Sequence, residues 1–277
     1  MASAVTSPSR EAEMSVRRAT RAREHRRRPV GGLVWTLIRT DFKTRYHGTL
    51  GGFMWALLKP LGMFLVLLGV FSFIFRSDPH YQLNLILGLF LYDFFSDATK
   101  TGLMSLNSKG YLITKARFPS WIIVVTSISN AAITLGLFFV FAFTYLAVIG
   151  HSPTWTTGAL FVWYQLHHLL IVLGFCLGSS VLFMKFRDLN QVWEVIVQAG
   201  FFVAPIIYPL RILPERLHFY LYTWPPTPII MFTRSVLVDG VVPSARAHAL
   251  LTAEALVVFA LGAFIYARYA SRVAEAL

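Results

Sequence analysis

Long apolar runs recur along this chain, and that repetition constrains its fold more than any other feature. They fall at 53–75, 83–104, 121–149, 159–184, 192–210 and 250–267. A helix needs about 20 apolar residues to cross roughly 30 Å of hydrocarbon. The third run is longer than that and is expected to tilt. Charged residues are only 14% of the 277 and hydrophobic residues 56%, against about 25% charged in an ordinary globular domain. The expectation is an all-α integral membrane protein with six transmembrane helices and no sizeable soluble domain.

The net charge of +12 would suggest nucleic acid in a soluble protein. Here it sorts by loop, as the positive-inside rule requires. With the N-terminus inside, one side collects Arg10 to Arg45, then Lys109, Lys115 and Arg117, then Lys185 and Arg187, then Arg268 and Arg272. The opposite loops carry only Arg76 in 76–82 and no Lys or Arg in 150–158. Both termini are therefore expected in the cytosol of a multi-pass membrane protein. Residues 1–29 read as an arginine-rich, disordered tail drawn to anionic headgroups rather than nucleic acid. Without a nearby apolar stretch they are not a secretory signal. The lone Cys176 excludes an internal disulfide and any multi-cysteine metal site.

Residues 30–48 predict an amphipathic helix. Val34, Trp35, Ile38, Phe42 and Tyr46 share one face, and Thr36, Arg39, Thr40 and Lys43 the other, with Arg45 breaking the apolar stripe. Such a helix lies in the cytoplasmic headgroup layer, or else packs on protein as an ordinary surface helix. Residues 49–277 form the spanning domain. Between the last two spans, apolar stretches 215–223 and 228–237 flank Trp224-Pro225-Pro226-Thr227-Pro228. Prolines stop helices. Broken backbone at membrane depth survives only where it is buried in protein or lines a cavity. Two short re-entrant gate helices fit this segment; a surface hairpin is the alternative.

No G-x-x-x-x-G-K-[ST], H-E-x-x-H, C-x-x-C or G-x-S-x-G occurs. His167 and His168 project about 100° apart on a helix, which suits two separate packing roles better than one metal. Ionisable residues inside spans are costly and are functional candidates by default. Asp93 and Asp97 are four apart on the second run, with Lys100 placed to neutralise Asp97. Lys59, before Pro60 on the first run, is within reach of either from a neighbouring helix. Glu194 sits one turn into the fifth. A proton relay, a neutralised structural pair and the polar lining of a wide pathway remain open. Aromatics are 15% of the chain. Most suit interfacial belts, and some suit stacking on the C–H faces of sugars.

Three segments carry a resemblance. They read RTDFKTRYHGTLGGFMWALLKPLG, NSKGYLITKARFPSWI and FMKFRDLNQVWEVIVQAGFFVAPIIYPLRILPE. In this order relative to six spans, they resemble the membrane subunit of polysaccharide-exporting ABC transporters of the O-antigen and teichoic-acid type, over residues 33–270. The resemblance implies a homodimer docked on two copies of a separate P-loop subunit, which binds the ATP and Mg. It implies no cofactor, no metal and no catalysis in this chain. The loop from Asn107 through Lys109, Tyr111, Leu112, Lys115, Arg117 and Phe118 to Pro119 resembles the coupling helix. Phe186-Arg187-Asp188 resembles the second inner turn, where Asp188 is positioned to cap the next helix and Arg187 to anchor in headgroups.

The gate matches 211–240, with a departure: Pro225-Pro226 stands where the family commonly has Asn-Pro. Another departure is Asp93, where the family often has an aromatic. The implied cargo is a polyprenyl-diphosphate-linked polysaccharide, with Trp35, Arg39, Lys43, Arg45 and Tyr46 as candidate contacts for the anionic lipid anchor. Lys59, Asp93, Asp97, Lys100, Phe201, Phe202, Tyr208, Trp224, Pro225 and Pro228 are the candidate pathway and gate residues. The rivals are a permease for a drug or lipid, a membrane-embedded transferase for lipid-linked sugars, and a secondary transporter. The last expects inverted repeats, and none is detected.

Overall fold

The computed structural model describes residues 30–46, 52, 54–76, 78–115, 119–148 and 154–276, which form ten α-helices. They are α1 (Val30–Tyr46), α2 (Met54–Phe71), α3 (Tyr81–Ser108), α4 (Gly110–Lys115), α5 (Trp121–Val148), α6 (Trp155–Phe183), α7 (Leu189–Val203), α8 (Glu215–Tyr222), α9 (Pro226–Leu237) and α10 (Ala245–Ala276). The N-terminal tail, 1–29, lies outside the described residues.

Four helical segments among the described residues are long and apolar enough to cross a membrane: Met54–Phe71, Trp121–Val148, Trp155–Lys185 and Ala245–Ala270. The other two expected spans differ from these in instructive ways. At 28 residues α3 is about 42 Å long, but Asp93, Asp97 and Lys100 dilute its hydropathy. At 15 residues α7 reaches only about 22 Å. The run at 192–210 therefore does not continue as one helix. Pro205 removes a donor and holds Ala204 in extended backbone, at φ −66 and ψ 133, so the helix stops at Val203.

The centre of the bundle is α3. It buries Leu85, Leu91, Phe95, Ala98 and Leu106 against α5 and α6. Its partner layer is the pair α6 and α10, whose backbones approach closely at Gly174, Gly178 and Gly262. A Cβ on Gly262 would run into the Gly174 carbonyl, and one on Gly174 into the Phe259 backbone. This is the G-x-x-x-G device of membrane helices, where close van der Waals approach replaces the hydrophobic drive that lipid does not supply.

The two ends of the bundle are distinct. One gathers α1, α4, the start of α5 and the end of α10, where Ser120 and Tyr266 share a hydrogen bond of 2.5 Å. The other gathers the start of α3, the stretch after α7, and α9. The expected break near Trp224 is present between α8 and α9. Pro226 sits in the first turn of α9, where a missing N–H costs nothing. From Pro226 to Ile230 the residues of α9 are all buried. By contrast, α8 exposes Phe219 and Tyr220 and buries only Leu221.

Candidate functional site

At the basic end, α1 packs on α5 and is pinned to α3. Arg45 Nη2 lies 3.0 and 3.1 Å from the two carboxylate oxygens of Asp97. Burial works against the Arg45 charge, but the hydrogen bond and charge of Asp97 outweigh it and hold the guanidinium pKa above its ordinary value. One turn earlier, Asp41 pairs with Lys109, which also donates to Ser127 Oγ at 2.9 Å. Thr36, Thr40 and Thr44 each donate back to the carbonyl four residues before. Val34, Ile38, Phe42 and Tyr46 are partly covered. Trp35 is not with them: it is 65% exposed, because a residue adjacent to Val34 is rotated about 100° away on a helix. Arg39 and Lys43 are exposed.

These contacts revise one pairing made from spacing. Asp97 is held by Arg45, and Lys100 turns instead to Glu194, at 3.8 Å. Lys109, expected in the coupling loop, is drawn back onto Asp41 and Ser127, so its charge braces α1. Asn107 and Tyr111 are exposed and Leu112 packs on the core. Lys115 ends α4. Arg117 and Phe118 lie outside the described residues, and Pro119 is exposed. In the second turn Phe186, Arg187 and Asp188 are exposed. Asp188 does occupy the position before α7, but in helical backbone and without a side-chain cap bond. An N-cap accepts from the first turn when its own backbone is extended.

Midway along the bundle a cavity of about 620 Å³ opens between α2, α3 and α7. Lys59, Asp93, Ser96, Lys100, Glu194 and Gln198 line it, together with Tyr92, Phe201 and Phe202. Beside Lys59, Pro60 has no N–H to give the Ala56 carbonyl, which adds an acceptor to a polar region. Lys59 and Asp93 thus line one cavity from neighbouring helices. Tyr92 donates its hydroxyl to the Val197 carbonyl and ties α3 to α7.

Toward the opposite end, Trp224 fills the space over Gly200 of α7, where any Cβ would collide with the indole. Its ring lies 5.6 Å from Phe95 and 6.2 Å from Trp193. Pro225 and Pro228 shape the turn before and within the first turn of α9. Tyr208 donates to the Phe202 and Val203 carbonyls. The residue that organises this end is one the sequence reading passed over. Arg234 is 6% exposed. Its Nε donates to Asn84 O (2.8 Å), Nη1 to Pro205 O (2.5 Å) and Nη2 to Ile206 O (3.1 Å). Tyr81 donates to Ile207 O at 3.0 Å. The carbonyls freed where α7 breaks are thereby satisfied from α9 and α3, as buried backbone requires. The signal was legible: a lone arginine in an otherwise apolar half-helix, the same rule that drew attention to Asp93.

The two histidines diverge. His167 bonds the Trp163 carbonyl and Thr252. His168 is buried against Phe94, with the ring centroids 4.8 Å apart. Among the described residues no group of three His, Cys, Asp or Glu could hold a metal.

No family model matches the chain. Curated relatives do. The chain is 29% identical over 190 residues to the O-antigen export system permease protein RfbA of Myxococcus xanthus, covering 67% of this chain and 71% of that one. It is 24% identical to the protein of the same name from Klebsiella pneumoniae, over 76% of this chain and 81% of the relative. It is also 24% identical to the polysialic acid transport protein KpsM of Escherichia coli, over 84% and 92%. The motif resemblance and the similarity over two thirds or more of the chain converge: this chain resembles the permease subunits of polysaccharide-exporting ABC transporters.

Proposed function

We propose that this chain is the transmembrane subunit of an ABC exporter that moves a polysaccharide, carried on polyprenyl diphosphate, across the bacterial cytoplasmic membrane. The observation that carries this reading is similarity to polysaccharide export permeases over most of the chain. The charged and aromatic cavity between α2, α3 and α7 supports it. A sugar chain needs a conduit that offers hydrogen bonds and flat rings, and this lining supplies both. In this reading α3 and α7 complete six spans, α7 being short because the broken stretch after it finishes the crossing. Two copies face each other across the polar wall, and α8 and α9 re-enter from outside as the gate. Both termini are cytosolic.

The chain itself performs no chemistry. Two copies of a separate P-loop subunit bind ATP and Mg. Their closure pushes on α4 and on the Phe186-Arg187-Asp188 turn. Because Lys109 precedes α4 and is bonded to Asp41 and Ser127, a push on α4 reaches α1, α3 and α5 together. Arg39 and Lys43 offer their charges to the diphosphate of the lipid anchor at headgroup level.

Affinity purification from native membranes in mild detergent tests the reading. A P-loop ATPase should co-purify in about equal amount, and replacing Phe118 and Pro119 by alanine should abolish ATP hydrolysis coupled to this chain. Recovery of the chain alone, or with glycosyltransferases and no ATPase, would sink it.

A further inference from the structure

At the gate end a second cavity, of about 470 Å³, lies between the start of α3, the stretch after α7, the end of α8, and α9. Its chemistry is unlike that of the membrane-facing surface. Asp78, Asp239 and Arg211 line it together with three phenol rings, those of Tyr81, Tyr208 and Tyr222. No three metal-ligating side chains gather there among the described residues, and the charges make it unsuitable for a lipid tail.

Two of the rings, those of Tyr81 and Tyr208, are fixed. Tyr81 gives its hydroxyl to the Ile207 carbonyl at 3.0 Å, and Tyr208 gives its own to Phe202 and Val203 at 3.1 and 3.0 Å. With their hydroxyls engaged, what these residues offer a ligand is ring surface, already oriented, so little rotamer entropy is lost on binding. The carboxylate of Asp78 is oriented too, by a bond of 3.0 Å from the His80 backbone N–H. Flat, rigid rings beside acceptor-only carboxylates match one ligand class well. A pyranose sets its C–H face on an aromatic ring and donates adjacent hydroxyls to a carboxylate. The volume falls within the range of about 300–1,000 Å³ usual for small-molecule sites.

We propose that this cavity is a saccharide subsite, holding one or two residues of the exported polymer at the outer gate. The proposal rests on the polysaccharide reading above. Because α8 and α9 form two of its walls, a sugar seated there bears on both gate helices.

The test uses the complex with its ATPase partner in nanodiscs. The probe is a set of oligosaccharides of one to four repeat units, released by mild acid from the surface polysaccharide of the source bacterium. Binding is read by calorimetry for wild type, for the double variant Asp78→Asn with Asp239→Asn, and for Met231→Trp, which fills the cavity from α9. Surface display of polysaccharide is measured in parallel in cells carrying each variant and in cells lacking the gene. The expected result is that wild type binds, the double variant binds at least about tenfold more weakly, and Met231→Trp does not bind, while all three co-purify with the ATPase in equal yield. Equal affinity in all three would overturn the subsite. So would preferential binding of glycerophosphoethanolamine, a lipid headgroup probe. Absence of wild-type binding in a system where gene loss abolishes display overturns the subsite and leaves the export reading intact. Normal display in the deletion strain would overturn the export reading itself.

Discussion

Arg45 and Asp97 meet at 3.0 Å, 52 residues apart in sequence, and so fasten the helix outside the bundle to the helix at its centre. Both side chains are more than a third exposed, so the pair is weak in thermodynamic terms, of the order of 0–1 kcal/mol. Its value is positional. Asp97→Asn should lower the melting temperature of the purified chain only slightly and reduce polysaccharide display markedly. Exchanging the two charges, Arg45→Asp with Asp97→Arg, should restore display. Failure of the exchange to rescue would show that either residue acts on the substrate rather than on the other.

The close approach of α6 and α10 makes a sharper prediction. Gly174→Val places a branched side chain into the Phe259 backbone. Overpacking of this kind costs about 1–3 kcal/mol or more, and neither backbone can yield. The variant should be lost to aggregation or degradation, read as monodisperse yield in detergent. Gly136→Ala on α5, where nothing lies within 4 Å of the new methyl, should express as wild type.

Replacing Arg234 removes the donors to Asn84, Pro205 and Ile206 together. Hydrogen bonds to a charged donor are worth roughly 1.5–3 kcal/mol each. Arg234→Met should therefore loosen the stretch after α7 and leave the gate end leaky. Ion conductance of the purified complex in planar bilayers should rise without ATP. Arg234→Lys, a single ammonium that cannot fork to three carbonyls, should fall between the two.

Asp239 gives a pH prediction. Burial is the first cause raising its carboxyl pKa above the usual range, with Asp78 adding and His80 and Arg234 opposing. A raised acid pKa means the folded state holds the proton to higher pH than the unfolded one. Stability tied to this group is therefore fully present below the ordinary carboxylate range, about 4, and falls as pH rises through the raised value. Relative to wild type, Asp239→Asn should gain in melting temperature on going from pH 4 to pH 7. A constant difference across that range would contradict the assignment.

How much of this was written in the sequence can be seen residue by residue. The apolar runs, the break at Trp224-Pro225-Pro226 and the amphipathic helix were legible because they depend on local periodicity and on proline's missing donor. That Lys59 and Asp93 line one cavity was legible because a charge in an apolar helix must face something polar. Partners were not legible. Spacing put Lys100 beside Asp97, but Lys100 reaches Glu194 on another helix, and Asp97 is taken by Arg45. The run at 192–210 looked continuous because hydropathy does not register that Pro205 frees carbonyls needing a buried donor.

The sequence by itself determined that this chain is a helical membrane protein and that it resembles polysaccharide permeases, since hydropathy and three motifs are one-dimensional properties. Only the tertiary structure decided which charges neutralise one another, that Arg234 holds the end of α7, and that tyrosines and carboxylates from four separate elements close around one cavity. Those facts depend on the angles at which helices cross. Contacts between segments far apart in the chain, such as Arg45 with Asp97 and Gly174 with Gly262, bring those helices together, and no neighbour in the chain does so.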